Sequence, residues 1–487
     1  MRIMSPDIGT LHFIGIGGIG MSGIAILLNA LGYRVQGSDQ AEGANVARLR
    51  EMGIKVTIGH VAANIFLDEK GELPAAVVIS SAVKTDNPEV AAAREARVPV
   101  VRRAEMLAEL MRLKSAVAVA GTHGKTTTTS MVGQMLDTAG FDPTVVNGGI
   151  VNAYGTNMRF GQSDAMVVEA DESDGSFTRL PATVAVITNI DPEHMDHYGS
   201  FDEVREAYRR FVLNLPFYGY ALLCLDHPEV QALVPQVSQR RVITYGFNPQ
   251  ADIRATNIRH DAKGSTFDLT FSAWLSADDR EQTIKDLVLP MPGRHNVQNC
   301  LVALGVANEM SVPPETMRKA LSGFTGVKRR FTEIGKGADI TVIDDYAHHP
   351  VEIEVVLKTA RTVLEKKGAK VIAVFQPHRY SRLKDLFEEF CRCFNEADSV
   401  IIADIYAAGE TPIEGLDKHK LAAGIHEHGH RDSRVLESRD KLASQLAEIA
   451  SPGDYVICMG AGDITAWAQA LPAQIEEEAR KRKGRAA

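Results

Sequence analysis

Residues 116–129 read Ala-Val-Ala-Val-Ala-Gly-Thr-His-Gly-Lys-Thr-Thr-Thr-Thr. The small apolar run 116–120 has the pattern of a buried strand. Gly121 and Gly124 follow, and a helix is expected from 125 to about 138. A glycine turn between strand and helix lets backbone N–H groups converge on phosphate oxygens. A lysine there neutralises the outer phosphates, and the next hydroxyl reaches Mg²⁺. Gly121, Thr122, His123, Gly124, Lys125, Thr126 and Thr127 are therefore candidate ATP contacts. Val119 stands where the usual phosphate loop has its first glycine, so this loop is a Gly-Thr-His-Gly-Lys-Thr variant. Strand, turn and helix in this order imply an α/β fold with a parallel sheet.

Upstream lies a second glycine turn, Gly15-Ile16-Gly17-Gly18-Ile19-Gly20, between an expected strand at 11–16 and an apolar helix at 21–31. Asp39 closes the next strand, about where a ribose-binding acid sits in dinucleotide folds. Glycines at a helix N-terminus suit any pyrophosphate. NAD, FAD and a UDP-sugar all carry one. Further strands are expected at 54–58, 77–81 and 98–101, then at 165–169 and 184–188. From 253 to 291 the pattern alternates, as in Thr266 to Phe271, which predicts an antiparallel extension. Helices are expected at 295–310 and 314–321, and strands at 340–343, 371–375, 400–405 and 455–459. The charged run 476–485 is expected to form a frayed helical tail.

A chain of 487 residues exceeds one hydrophobic core and suggests about three domains. Their expected ranges are 1–112, 113–326 and 327–487. The net charge of −9 argues against general nucleic-acid binding. No signal peptide and no bilayer-spanning run is read, and the five scattered cysteines match no common zinc spacing. These features point to a cytoplasmic protein that neither binds nucleic acid nor inserts in a membrane.

Two polar clusters follow strand ends. One is Glu169-Ala170-Asp171-Glu172-Ser173-Asp174, and the other is Asp191-Pro192-Glu193-His194-Met195-Asp196-His197-Tyr198. Ligands bind at such strand ends in parallel sheets. A solvated acidic loop would look like the first cluster alone, and zinc could use the histidines of the second. No thiolate accompanies them, so magnesium with ATP suits them better.

Seven ordered motifs together resemble the Mur ligase family over almost the whole chain. They are residues 15–23, 121–127, 169–174 and 191–198, then Gly-Arg-His-Asn-Val-Gln-Asn at 293–299, Asp-Asp-Tyr-Ala-His-His-Pro at 344–350 and Gln-Pro-His-Arg-Tyr-Ser-Arg at 376–382. The resemblance implies a Rossmann-like N-terminal domain for a UDP-sugar, a P-loop-type central ATPase domain and a Rossmann-like C-terminal domain for the amino acid. It implies ATP-dependent joining of L-alanine to the carboxylate of UDP-N-acetylmuramate through an acyl phosphate, in peptidoglycan precursor synthesis. ATP and two Mg²⁺ ions, with Mn²⁺ able to substitute, are the implied cofactors, and the chain would act as a monomer or homodimer.

By motif, the UDP-sugar would meet Gly15, Gly17, Gly18, Gly20, Ser38, Asp39 and Ser81. Asn296, Arg330 and Asp345 match ATP-contacting positions. Thr126, Glu169 and His194 match metal positions, and Tyr346, His348, His378, Arg379 and Arg382 match the amino-acid site. Several relatives carry a carbamylated lysine after the His-Met-Asp motif, but here no lysine occurs between Lys125 and Lys263. Another group must complete the second metal's shell.

In such chemistry Lys125 and arginines offset the repulsion between carboxylate and phosphate, and His348 is the candidate proton acceptor for the attacking amine. Arg379 and Arg382 suit the alanine carboxylate or the acyl phosphate. Three other readings compete. A relative that adds a whole peptide to the sugar would share most motifs. An NAD-dependent dehydrogenase would leave the second phosphate loop unexplained. A silent nucleotide-sensing scaffold would have no use for the metal and arginine set.

Overall fold

The computed structural model describes residues 6–66, 72–80, 82–261, 263–276, 278–364 and 368–486. Ser81 lies outside them. The chain folds as two compact units. The first comprises Met1–Thr256, Asp268–Leu287 and Gln298–Thr325, and the second comprises Asn257–Phe267, Val288–Val297 and Gly326–Ala487. Three sheets, each with its own helices, mark three α/β domains within these units.

The first sheet holds β1 (Thr10–Ile14), β2 (Arg34–Asp39), β3 (Lys55–Ile58), β4 (Ala76–Ile79) and β5 (Val100–Arg102). Their order is β3-β2-β1-β4-β5, and all pairs are parallel. The order reverses at β1, so the crevice beyond β1 and β4 is where a ligand binds in such a sheet. The first glycine turn leaves β1 there. Gly37 in β2 has no room for a side chain, because a Cβ would lie 2.4 Å from the Phe13 carbonyl oxygen.

Beneath this crevice lies a buried polar network. The fully buried carboxylate of Glu89 meets His12 Nε2 at 2.6 Å and His60 Nδ1 at 3.0 Å. Asn64 Nδ2 and the Ser38 hydroxyl each donate to it at 2.9 Å. One side chain thereby ties β1, β2, the segment after β3 and the helix Pro88–Glu95 together. Burial opposes the charge of Glu89, but the bonds from His12, Asn64 and Ser38 overcome it and hold the carboxyl below its ordinary value.

The second sheet has ten strands: β6 (Ser115–Ala120), β7 (Thr144–Val151), β8 (Thr156–Arg159), β9 (Ala165–Glu169), β10 (Val184–Ile187), β11 (Tyr220–Cys224), β12 (Arg241–Gly246), β13 (Ile253–Asp261), β14 (Gly264–Phe271) and β15 (Gln282–Leu289). The order is β15-β14-β13-β12-β11-β10-β6-β9-β7-β8. The β6 strand sits between β9 and β10, parallel to both, so three strand ends meet at one place. The last three strands lie side by side in chain order, as hairpin strands do. In β13 burial alternates residue by residue, the pattern of a sheet covered on one face.

The third sheet, in the second unit, holds β16 (Thr332–Gly337), β17 (Ile340–Asp345), β18 (Val371–Phe375), β19 (Ser399–Ile402), β20 (Ser433–Val435) and β21 (Tyr455–Met459). Its order is β16-β17-β21-β18-β19-β20, with only the β16–β17 pair antiparallel. Alternate residues serve two cores. Ile343, Ala373, Phe375, Ile402 and Met459 pack with Ile353, Leu357 and Phe390 on one face. Val342, Val374, Ile401 and Cys458 pack with Leu446, Trp467 and Leu471 on the other. The charged run expected to fray is the end of one continuous helix, Ile464–Ala486, whose first half is anchored in that core. All five cysteines are buried, none is in a disulfide, and burial raises every thiol pKa.

Replacing Glu89 with Ala strands His12 in the core and is expected to cost about 3–5 kcal/mol in urea unfolding at pH 7. Because folding lowers the pKa of Glu89, its contribution is present above the ordinary value of 4.5 and is lost as pH falls below it. The variant's stability should therefore fall less on acidification than that of the parent chain.

Candidate active site

The phosphate loop leaves β6 through Gly121, at φ +134°, and enters the helix Lys125–Thr138 through Gly124, at φ +84°. Both angles suit glycine alone. Neighbouring strand ends hold the loop's shape. Asn189 accepts from the His123 N–H at 2.7 Å, and the Thr188 hydroxyl donates to the His123 carbonyl at 2.6 Å. The Thr122 hydroxyl accepts from the Asp191 N–H at 2.8 Å. Asp191 also lies between two imidazoles, 3.5 Å from His123 and 3.4 Å from His227.

Lys125 turns back onto its own loop. Its Nζ donates to the carbonyls of Gly121 at 2.6 Å and Thr122 at 3.0 Å, and to Glu172 Oε1 at 2.8 Å. Burial opposes its charge, yet Glu172, Glu169 and Asp171 together raise its pKa. Three carboxylates thus face one ammonium. Burial pushes Glu172 up to about 7, against the pull of Lys125, and neighbouring Asp171 adds to the rise. The Glu172 Oε2 atom is buried and finds no hydrogen-bond partner among the described residues.

Glu169, at the end of β9, accepts from the Thr126 hydroxyl at 3.2 Å and from the Gly148 N–H at 2.7 Å. His194 Nε2 lies 3.8 Å from Glu172 and 4.0 Å from Glu193. One ligand atom each from Glu172, Glu193 and His194 fall within 4.8 Å of one another, close enough to hold a cation. The structure therefore brings the expected metal residues Thr126, Glu169 and His194 to adjacent strand ends. It adds Glu172 and Glu193, whose part the motif reading did not single out. Their signal was present as acidic residues inside the two quoted clusters, but neither spacing shows which carboxylate reaches His194.

At the other glycine turn, Gly15 has φ +73°, and the Gly17 N–H donates to Asp39 at 2.8 Å. A Cβ on Gly17 would meet that carboxylate at 2.9 Å, and one on Gly20 would meet Arg103 Nη1 at 2.9 Å. Gly18 caps the helix Ile19–Ala30. Asp39 thus faces the turn, whereas Ser38 is fully buried, with its hydroxyl in the Glu89 network. Arg103 reaches Asp171 at 3.3 Å and was not anticipated.

In the second unit, Tyr346, His348 and His378 form an edge-to-face series with centroid spacings of 5.2 and 6.1 Å. Arg329 and Arg330 lie over the Tyr346 ring at 4.7 and 5.5 Å. His348 Nδ1 lies 2.9 Å from the Tyr346 carbonyl oxygen and 3.4 Å from Glu352. A carbonyl only accepts, so Nδ1 carries hydrogen and Nε2 is the nitrogen that can take up or release a proton. Burial, then His348, Arg382 and Arg379, push His378 down to about 4. Asp345 is pushed up to about 6 by burial, and its two oxygens accept from the N–H groups of Phe331 and Ala347. Asn296 is buried and donates to the Pro292 carbonyl at 2.7 Å.

Family models match three successive stretches: the Mur ligase family catalytic domain over residues 10–115, the Mur ligase middle domain over 119–307 and the Mur ligase glutamate ligase domain over 329–462. The chain is 61% identical over 476 residues to the UDP-N-acetylmuramate–L-alanine ligase of Rhodospirillum centenum, covering 98% of this chain and 96% of that one. It is 60% identical to the enzyme of the same name from Paramagnetospirillum magneticum, covering 98% of each. The crystal structure of UDP-N-acetylmuramate-alanine ligase MurC from Thermotoga maritima superposes with a TM-score of 0.77 at 28% identity, over 96% of this chain and 99% of that one.

Gly124→Ala forces a side chain into a left-handed turn, with its Cβ 2.8 Å from Asn299 Oδ1. Strain of about 1–3 kcal/mol is expected. Nucleotide affinity should fall by roughly tenfold or more in a fluorescent-nucleotide titration.

Proposed function

This chain belongs to the Mur ligase family, and on that premise we propose how its residues divide the work of its reaction. The reaction is the ATP-dependent joining of L-alanine to the carboxylate of UDP-N-acetylmuramate, a step in peptidoglycan synthesis. The observation that carries the assignment of roles is the convergence of Lys125, Thr126, Glu169, Glu172 and His194 at three adjacent strand ends. We assign the UDP-sugar to residues 1–112, ATP to 113–326 and the amino acid to 327–487.

A carboxylate does not acylate an amine directly, because oxide is too poor a leaving group. Phosphorylation by ATP turns it into an acyl phosphate, from which phosphate leaves after the amine attacks. The first step brings two anions together. Lys125 offsets that repulsion when its Nζ moves from the Gly121 and Thr122 carbonyls to the outer phosphates. The N–H groups of residues 121–127 cradle the phosphates.

Mg²⁺ fits the same strand ends. Their carboxylates outnumber the one ammonium, and Glu172 offers an oxygen with no partner among the described residues. Thr126 and Glu169 would hold the ion that accompanies the nucleotide. His194, with Glu172 and Glu193, would hold a second, and Mn²⁺ would serve either place. When bound, the ions neutralise charge on the transferring phosphoryl group.

The turn from Gly15 to Gly20 receives the UDP diphosphate at a helix N-terminus, with Asp39 on its flank and Ser38 bracing the strand behind it. Ser81 keeps its motif-based assignment to the same ligand. Arg330, Asp345 and Asn296 are assigned to ATP. Tyr346, His378, Arg379 and Arg382 are assigned to alanine and the acyl phosphate. His348 is the better proton acceptor of the two histidines. Its Nε2 is the nitrogen that would take the proton, and Glu352 stabilises the cation, whereas Arg379 and Arg382 lie near His378.

We propose that the chain acts as a monomer or homodimer. No helix among the described residues is long and apolar enough to cross a membrane. We propose a cytoplasmic location, which five buried thiols outside any disulfide support.

Lys125→Ala should lower alanine-dependent ADP formation by at least about 10²–10³-fold while UDP-sugar binding survives. Normal turnover would sink the loop's assignment. His348→Gln should slow ligation far more than it weakens ATP binding, and an equal rate in the variant would remove His348 from the proton transfer.

A further inference from the structure

Arg379 has φ +71° and ψ +138°. An L-residue avoids this region, and glycine enters it freely. Such a conformation persists only where the surroundings enforce it. Here the enforcing element is the segment after β19, which the motif reading passed over. The Arg379 N–H donates to the Tyr406 carbonyl at 2.9 Å, and the Tyr406 N–H donates to the Pro377 carbonyl at 2.8 Å. The Tyr406 ring stacks on His378, with planes 9° apart and centroids 5.6 Å apart. Behind Tyr406 the space is full, since a Cβ on Gly462 would lie 2.7 Å from its ring. On the other side of Arg379, Glu410 takes both donors of Ser381, the N–H at 3.0 Å and the hydroxyl at 2.6 Å. The turn is therefore pinned two residues before Arg379 and two residues after it.

We infer that Glu410, acting through Ser381, is a positioning residue that keeps Arg379 in its strained turn and so aims the arginine at the anion it binds. The inference rests on the assignment of Arg379 to the amino-acid and acyl-phosphate site. The strain gives the arrangement its sense. A relaxed turn at 379 would swing the start of the side chain to a new direction, and a displacement of about 1 Å in a positioning group costs on the order of 10²-fold in rate.

The test uses the full-length enzyme and five variants. Glu410→Ala and Ser381→Ala should each lower kcat/KM for L-alanine by about 10–100-fold while KM for ATP stays as in the parent. Glu410→Gln, which keeps an acceptor, should recover most of that loss. Thermal melting supplies an arm independent of activity. Arg379→Gly should melt above Arg379→Ala by roughly 2–4 °C, the reverse of the usual order, because only glycine relaxes without moving the backbone. Parental kinetics in both Glu410→Ala and Ser381→Ala, or alanine melting above glycine at 379, overturns the inference. If Glu410→Ala does not fold, Ser381→Ala and Glu410→Gln decide. Parental turnover in Arg379→Ala would instead sink the assignment of Arg379 itself and leave the melting comparison standing.

Discussion

One buried ammonium organises the strand-end face of the first unit. Burial alone would lower the pKa of Lys125, and the carboxylates of Glu172, Glu169 and Asp171 raise it above its ordinary value. Those groups meet because β6 lies between β9 and β10 and runs parallel to both. Parallel pairing sends all three strand ends to one edge, so the glycine loop, the acidic run and the histidine segment converge although they are far apart in the chain. The cost falls on Glu172, whose carboxyl burial raises to about 7 against the pull of Lys125, with Asp171 adding to the rise. Carboxylates outnumber the one ammonium at this edge, which leaves negative charge facing any ligand that enters.

The second unit works with the opposite balance. Burial first, and then the positive charges of His348, Arg382 and Arg379 against the pull of Glu410, push the His378 imidazole down to about 4. His348, one ring away, faces a carbonyl and a carboxylate. Two histidines of like chemistry thereby sit in different surroundings. The same surroundings explain why Tyr346 has a fixed place. Two guanidinium groups lie over its ring, and such contacts are worth about 0.5–2 kcal/mol each.

The parts of this molecule that speak in sequence are those governed by local rules. Strands buried on both faces, such as 116–120, 165–169 and 371–375, read directly from their apolar runs; the last two occur at those bounds and the first begins one residue earlier, at Ser115. The glycine turns read from their fixed offsets. Other strands, among them Thr144–Val151 and Arg241–Gly246, carry mixed residues, and their sheet partners rather than their own pattern make them strands. The site divides in the same way. Lys125, Thr126, Glu169 and His194 stand in recognisable motifs. Glu172 was one acid among several until the fold brought it to Lys125 and His194. Ser38 stands beside the ribose-type acid in sequence, yet strand alternation turns it inward to Glu89. Glu410 stands 29 positions from Ser381, a separation no local pattern reports.

The five cysteines have a practical consequence. Each thiol is shielded by packing and held in its protonated, unreactive form, and none is joined to another. To thiol-seeking reagents the folded chain is therefore nearly silent, and it becomes reactive only where it opens. A cysteine introduced on the surface would be the one fast-reacting thiol, so a single dye or spin label could be attached without first removing the native ones. The slow labelling of those native thiols would then serve as an internal clock for unfolding.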